Sequence, residues 1–336
     1  MMIRKQAGFT LLELMISLVL GLIVVAAGMA VFLSGQRSAM LQGGMNELQQ
    51  NANFGLAMIT HDLRHANLNT PSTQKINNKQ VGSGILFSTS NLASSLSGVD
   101  AALLTKQNSD NGATVGKSDQ LTIQYIPEYT QVTQKKCKAN TADADGKCNE
   151  GDKEDVVHYK IKNVDCEGNG IDFTEPRVIV QRYHLQADSS QIPGQPTAYS
   201  LYCDAGSYAE GDAAIIGMSD TTKGQQLMQR IDGFKIRLGV KAPDKKLRYM
   251  TIDEYKAVMP ATVTDDKNFY NVISVEIGIL ARSTSPLNSE SLINNAKKFD
   301  VVGNDMTLND VQKNGSKYLR EVFSQVVAFR NTLGAS

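Results

Sequence analysis

Residues Phe9 to Leu33 form a predominantly apolar run of 25 residues in which Glu13 is the only charged side chain. As a helix it reaches about 37 Å, enough to cross a bilayer core of about 30 Å with some tilt. Arg4 and Lys5 precede it, so the positive flank stays on the cytoplasmic side and the chain beyond the run faces outward. Any fold for this sequence therefore starts with a membrane helix and places everything downstream on its far side.

A secretory signal peptide would have a shorter apolar region and small residues at a cut after it. Ala26-Ala27-Gly28 could serve as such a cut, but the run before it is already too long. A plain membrane anchor explains the hydrophobicity and leaves Glu13 as an unexplained cost, on the order of 3 kcal/mol for a mid-membrane carboxylate and less near the edge. Intramembrane acids have partners, so the question is what pairs with Glu13.

Gly8-Phe9-Thr10-Leu11-Leu12-Glu13 resembles the processing site of type IV prepilins. The resemblance implies a short basic leader cut by prepilin peptidase between Gly8 and Phe9, methylation of the new Phe9 amine, and Glu13 as the fifth residue of the mature chain. A carboxylate in the first helical turn suits the helix dipole. In a growing filament Glu13 could pair with the Phe9 ammonium of an adjacent subunit, so that two charges costly in lipid offset one another. Glu13 also sets the chain apart from the tip K-type pseudopilins, whose pattern lacks this acid.

Past Leu33 the helical pattern continues. Leu41, Met45, Leu48, Ala52, Leu56, Ile59, Leu63 and Ala66 recur at steps of three and four, an apolar stripe along one helix face. Arg37, Gln42, Glu47, Gln50 and Asp62 fall largely off it. Gly43-Gly44 is a weak point costing roughly 2 kcal/mol against alanines, and Asn67-Leu68-Asn69-Thr70-Pro71 is the expected stop. Beyond Pro71 the period becomes two: Leu121, Ile123 and Tyr125; Val157, Tyr159 and Ile161; Phe234, Ile236, Leu238 and Val240; Ile273, Val275, Ile277 and Ile279. Such alternation predicts half-buried antiparallel strands, with the amphipathic half of the helix as their core partner. Residues 178–185, 199–203 and 317–329 are further strand candidates, and Thr251 with Glu254 predicts a capped helix over Ile252–Met259. Residues 71–119, 133–155 and 204–224 read as long polar loops, functional or poorly ordered.

The four cysteines, Cys137, Cys148, Cys166 and Cys203, all lie past the membrane run. An even count in an exported region suggests two disulfides, with three connectivities possible. The expected pairing is Cys137–Cys148, closing a polar loop, and Cys166–Cys203, tying a strand lead-in to a strand end. Basic and acidic residues balance at 34 each; losing the leader leaves the mature chain slightly acidic, without the basic excess of a nucleic-acid binder. Tryptophan is absent.

Catalytic and cofactor patterns are weak. Gly112 to Ser118 imitates a phosphate-binding loop, but Asn111 stands where its first glycine should be and a strand follows instead of a helix. His61 and His65, four apart with Asp62 between them, read as solvated helix-face histidines without a third ligand. Asp143, Asp145 and Asp152 fall at the third, fifth and twelfth positions of a calcium loop around Gly146, but Thr141 holds the first position and Asp152 replaces the bidentate Glu. A disulfide-closed acidic turn is the simpler reading, with calcium as a weak candidate and no other cofactor. No nucleophile constellation stands out.

Tyr318 to Asn331, ending in Arg330-Asn331, is similar to the terminal strand of PilW-type minor pilins, and Val272–Arg282 to the strand before it. The resemblance implies an α+β, pilin-like fold: one long N-terminal helix, transmembrane then amphipathic, packed on an antiparallel β-sheet body. It divides the chain into a leader (1–8), a transmembrane half-helix (9–33), an amphipathic half-helix (34–68) and a periplasmic β-rich domain (69–336). It also implies a non-enzymatic minor pilin of the bacterial inner membrane and pilus, within a complex that primes or caps filaments for twitching, adhesion or DNA uptake. Its partners would be other minor pilins, the major pilin, prepilin peptidase and the inner-membrane assembly machinery. J-type pseudopilins of type II secretion share this layout and form the nearest alternative; a membrane-anchored adhesin or ligand-binding protein is the alternative from another class.

Overall fold

In the computed structural model, which describes residues 8–72, 75–108, 113–114, 118–139, 141, 143, 145–218, 224–262, 266–287 and 293–332, one helix dominates. This is α1 (Leu11–Leu63), 53 residues long, or about 80 Å at 1.5 Å per residue. It passes through Gly43-Gly44 unbroken. It stops at Leu63 instead of running to Leu68, because Asn67 turns into the left-handed region at φ +67 and gives its N–H to the Gln124 carbonyl oxygen. Asn tolerates that conformation better than most residues.

The strands follow in chain order: β1 (Ala113–Thr114), β2 (Leu121–Tyr125), β3 (Thr130–Cys137), β4 (Lys153–Val164), β5 (Gly170–Phe173), β6 (Val178–Ala187) and β7 (Tyr199–Tyr208). Then come β8 (Gln225–Met228), β9 (Ile231–Lys241), β10 (Leu247–Met250), β11 (Asn271–Arg282), β12 (Phe299–Val301), β13 (Asn304–Thr307) and β14 (Arg320–Ala328). Helix α2 (Ile252–Val258) opens with the expected Thr251–Glu254 capping box. Two four-stranded antiparallel sheets, ordered β10-β9-β11-β14 and β2-β6-β7-β8, form the body. A peripheral antiparallel sheet β3-β4-β5 and a small sheet β1-β13-β12 complete it, with β1 parallel to β13.

The apolar stripe of α1 enters the body at Leu48, and Ala52, Leu56, Ile59 and Leu63 are buried with it. They share one core with Phe234, Ile236, Leu238 and Val240 of β9 and with Val275, Ile277 and Ile279 of β11. The first two stripe residues differ: Leu41 is only half-buried and Met45 is exposed. On β11 a bulge between Val272 and Ser274 turns Val272 inward and leaves Ile273 half-buried, a local shift that strict alternation cannot show.

Two readings of the loops change. Residues 75–108 pack as an ordered layer whose Leu86, Leu92, Leu96, Leu103 and Leu104 build a second core with Val180 and Tyr208. That layer also covers the outer face of β2, so Thr122 and Gln124 are buried as well. Their side chains are satisfied there: Thr122 Oγ1 donates to the Leu103 carbonyl at 2.6 Å and Gln124 Nε2 to the Ser83 carbonyl at 2.8 Å. The two ends of the stretch 133–155 are strand, residues 133–137 in β3 and 153–155 in β4, because β3 pairs along its whole length with β4 although it has almost no apolar residues of its own. On β4 the expected faces are reversed in part: Val157 is exposed while His158 is buried, its Nδ1 lying 2.7 Å from Asp172 Oδ1. Most of the loop 112–118 lies outside the described residues, as does the leader up to residue 7.

Candidate assembly site at the helix N-terminus

Thr10 begins α1 as its N-cap. Its Oγ1 accepts the Glu13 backbone N–H at 3.3 Å, and its own N–H reaches Glu13 Oε2 at 3.5 Å. This reciprocal capping box satisfies two donors that a helix start otherwise leaves open, and it holds the Glu13 carboxylate one turn from Phe9. Every residue from Gly8 to Met40 is exposed in the isolated chain. Sixteen large apolar side chains lie bare between Leu11 and Leu33; at roughly 1.5–3 kcal/mol each for full burial, covering them is worth on the order of tens of kcal/mol. The segment has the length and composition to cross a membrane. The arrangement can bind apolar surroundings and present one acid at the head of the helix.

At the other end of α1, Asn331 of the Arg330-Asn331 pair has a visible task. Asn331 Nδ2 donates to the Arg64 and Ala66 carbonyls at 3.2 and 3.0 Å, and Asn67 Nδ2 donates back to the Asn331 carbonyl at 3.2 Å. These bonds satisfy carbonyls that a helix end leaves open. The last residues of the domain thus clamp the end of the first helix.

Disulfides join Cys137 to Cys148 and Cys166 to Cys203, with Cα separations of 5.8 and 6.1 Å. The second links the peripheral sheet, just before β5, to β7 in the body. In the calcium-like loop, Asp143 Oδ1 accepts the N–H groups of Asp145 and Lys147, while Asp152 Oδ2 meets Asn149 Nδ2. The three carboxylates do not converge, and among the described residues no group of three or more metal-ligating side chains forms.

His61 is exposed, but His65 is half-buried, with ring centroids 4.9 Å apart. Burial first, then His61, lowers the His65 pKa. Asp62 accepts the Tyr183 hydroxyl at 2.7 Å, so this end of the helix is tied to β6 and is not simply solvated.

Sequence reasoning missed the buried ion pairs. Arg182 meets Asp204 at 2.6 Å, Lys235 meets Asp119 at 3.1 Å, and Asp232 is shared by Arg282 and Arg320 at 3.6 and 2.7 Å. The available signal was a charged residue at a strand position flanked by apolar neighbours, as with Lys235 between Phe234 and Ile236.

The prokaryotic N-terminal methylation motif matches residues 3–29. The family described as type IV pilus-assembly protein W matches residues 182–331, a span that opens in β6 and ends on Asn331. No curated protein matches the chain. Among solved structures, a type IV-like pilin from Thermus thermophilus aligns over 64% of this chain and 78% of its own, at 9% identity and a TM-score of 0.25, a likeness that adds nothing to the fold described above. The methylation motif and the bare apolar helix fit anchoring in the inner membrane, with the body periplasmic and in the pilus. With that motif at the head of α1 and a PilW-matching region, residues 182–331, that closes on α1's far end, the chain is a type IV pilin-like protein that carries a PilW region.

Proposed function

We propose that this chain is a minor pilin of the type IV pilus, cut by prepilin peptidase between Gly8 and Phe9 and methylated on the new Phe9 amine. It joins other minor pilins and the major pilin, through the inner-membrane assembly machinery, in a complex that primes or caps the filament. The observation that carries this reading is the division of α1: bare to Met40, packed from Leu48 onward. A helix built that way is half domain and half contact surface. Its bare half packs against equivalent helices once it leaves the lipid, while the globular body selects neighbours. In the free chain the Glu13 carboxylate caps its own Thr10; in the filament it exchanges that weak bond for a neighbour's Phe9 ammonium, a charge-assisted contact. The role is structural, and no residue is assigned to catalysis.

The test is the mass of the mature N-terminus together with Glu13→Leu. Expected are chains beginning at methylated Phe9, and a variant that is processed but no longer recovered in filaments. Filaments carrying residues 1–8, or Glu13→Leu incorporated at wild-type levels, would refute the reading. Loss of protein secretion instead of twitching on deletion would move the chain to the pseudopilins.

A further inference from the structure

Where α1 passes from bare to buried, it closes one wall of a small cavity of about 150 Å³ whose lining mixes polar groups with apolar surface, Leu48 included. Glu47 and Asn51 of α1, the Gln229-Arg230 turn between β8 and β9, Arg282 at the end of β11 and Thr284 beyond it line the cavity. At about 30 Å³ of liquid per water, it has room for a carboxylate or phosphate group. Its walls are held in place: Asn51 Nδ2 donates to the Gln229 carbonyl at 2.7 Å, Thr284 Oγ1 to Glu47 Oε2 at 2.8 Å, and the Arg282 N–H to the Arg230 carbonyl at 2.8 Å. Arg230 takes a left-handed φ of +56, a conformation costing a non-glycine residue roughly 1–2 kcal/mol.

The charges around this cavity do not balance. The Arg282 side chain is 1% exposed and shares Asp232 with Arg320, and both guanidinium groups lie over the Tyr318 ring at 4.8 and 5.9 Å. Two buried cations thus divide one carboxylate. Arg282 Nε and Arg320 Nη2 are buried without an acceptor. Burial first, then Arg320 and to a smaller extent Arg230, lowers the Arg282 pKa while Asp232 raises it, so Arg230 adds a third cation to the cluster. Among the described residues the only acid lining the cavity is Glu47, which Thr284 engages. Surplus buried positive charge is costly until an anion answers it, and a guanidinium fork matches an oxyanion in two-point geometry.

The place of the cavity indicates the source of that anion. Glu47 lies 14 residues beyond Leu33, about 21 Å along the helix axis. The polar headgroup layer adds only about 5–8 Å per leaflet, so lipid phosphate is out of reach. A subunit packed along the bare part of α1, in contrast, comes within seven residues of Glu47, about 10 Å along the axis. We infer that this cavity receives a carboxylate side chain of a neighbouring subunit packed along α1. The inference rests on the pilin reading for its partner, while the anion chemistry stands on the pocket alone.

The full-length chain in detergent is melted in sodium chloride and, at matched ionic strength, in sodium acetate and sodium phosphate. Arg230→Gln is the variant, because Arg230 is half-buried and has no acidic partner among the described residues. At tenfold saturation the oxyanions are expected to raise the wild-type Tm by about 3–5 °C, and Arg230→Gln to be at least as stable as wild type in chloride but to lose the rise. No rise in wild type, or an equal rise in the variant, overturns the site. In cells, Arg230→Glu is expected to be processed normally and recovered in filaments at least tenfold less. Normal recovery overturns the subunit as source and leaves a site for small anions only. If the wild-type chain is itself absent from filaments, the pilin reading fails, and the salt titration alone decides the pocket.

Discussion

Ile59 and Phe54 lie on different faces of α1, and truncating each should separate folding from assembly. Ile59 is fully buried in the core that joins α1 to β9 and β11, whereas Phe54 is 66% exposed. Ile59→Ala removes the equivalent of three methylenes, about 2.4 kcal/mol of transfer free energy. A residual cavity between helix and sheet adds about 1 kcal/mol or more, for a total of about 3.5 kcal/mol. For a body of this size each kcal/mol lowers Tm by about 2–4 °C, so a fall of about 7–14 °C is expected. Phe54→Ala should stay within about 0.5 kcal/mol of wild type, yet reduce recovery in filaments, because Phe54 lines an open groove with Met58 and Val164. The chain has no tryptophan and 11 tyrosines, so tyrosine fluorescence reports the body without signal from the membrane half of α1. An Ile59→Ala cost below about 1 kcal/mol, or a Phe54→Ala cost as large as that of Ile59→Ala, would refute the division of the helix into packed and contact faces.

Other outcomes follow from single sites. Burial, then Arg182, brings His184 down to about 4 from an ordinary 6.5. The folded imidazole stays neutral while the unfolded one protonates, so its contribution is complete above pH 6.5 and lost as the pH falls towards 4. That loss is about 3 kcal/mol, and urea midpoints measured from pH 7 to pH 4 should show it in wild type and not in His184→Gln. Asn331→Ala leaves the Arg64 and Ala66 carbonyls open and should cost about 1–3 kcal/mol, measured by the same melts. Replacing Cys166 and Cys203 by alanine frees a 37-residue span and should cost about 4 kcal/mol by chain entropy, with proteolysis of the β3–β5 sheet appearing first.

Several elements were legible because their cause is local. The methylation motif over residues 3–29 is one contiguous stretch, and β9 alternates so cleanly that its four inward residues could be named. The β3 strand was not legible, since Thr130–Cys137 is polar on both faces and forms only because β4 offers it a ladder. The layer 75–108 was also hidden. Its leucines follow no period, and Asn77 and Asn91 side chains do the bonding that strands do elsewhere: Asn91 Nδ2 donates to the Asn77 and Gln80 carbonyls. The arginine cavity joins residues as distant as Glu47 and Thr284, 237 positions apart, and no spacing in the chain signals that meeting.

The unbroken passage of α1 from membrane to core has a mechanical consequence. A pull along the helix axis meets no hinge at Gly43-Gly44 and arrives at the stripe from Leu48 to Leu63. That stripe is anchored in the core at intervals from Leu48 to Leu63, so the load is shared among its contacts instead of falling on one of them. The Asn331 clamp holds the far end against the same draw, so the body resists extraction as a unit, and the first thing to slip under tension is the bare segment among its neighbours.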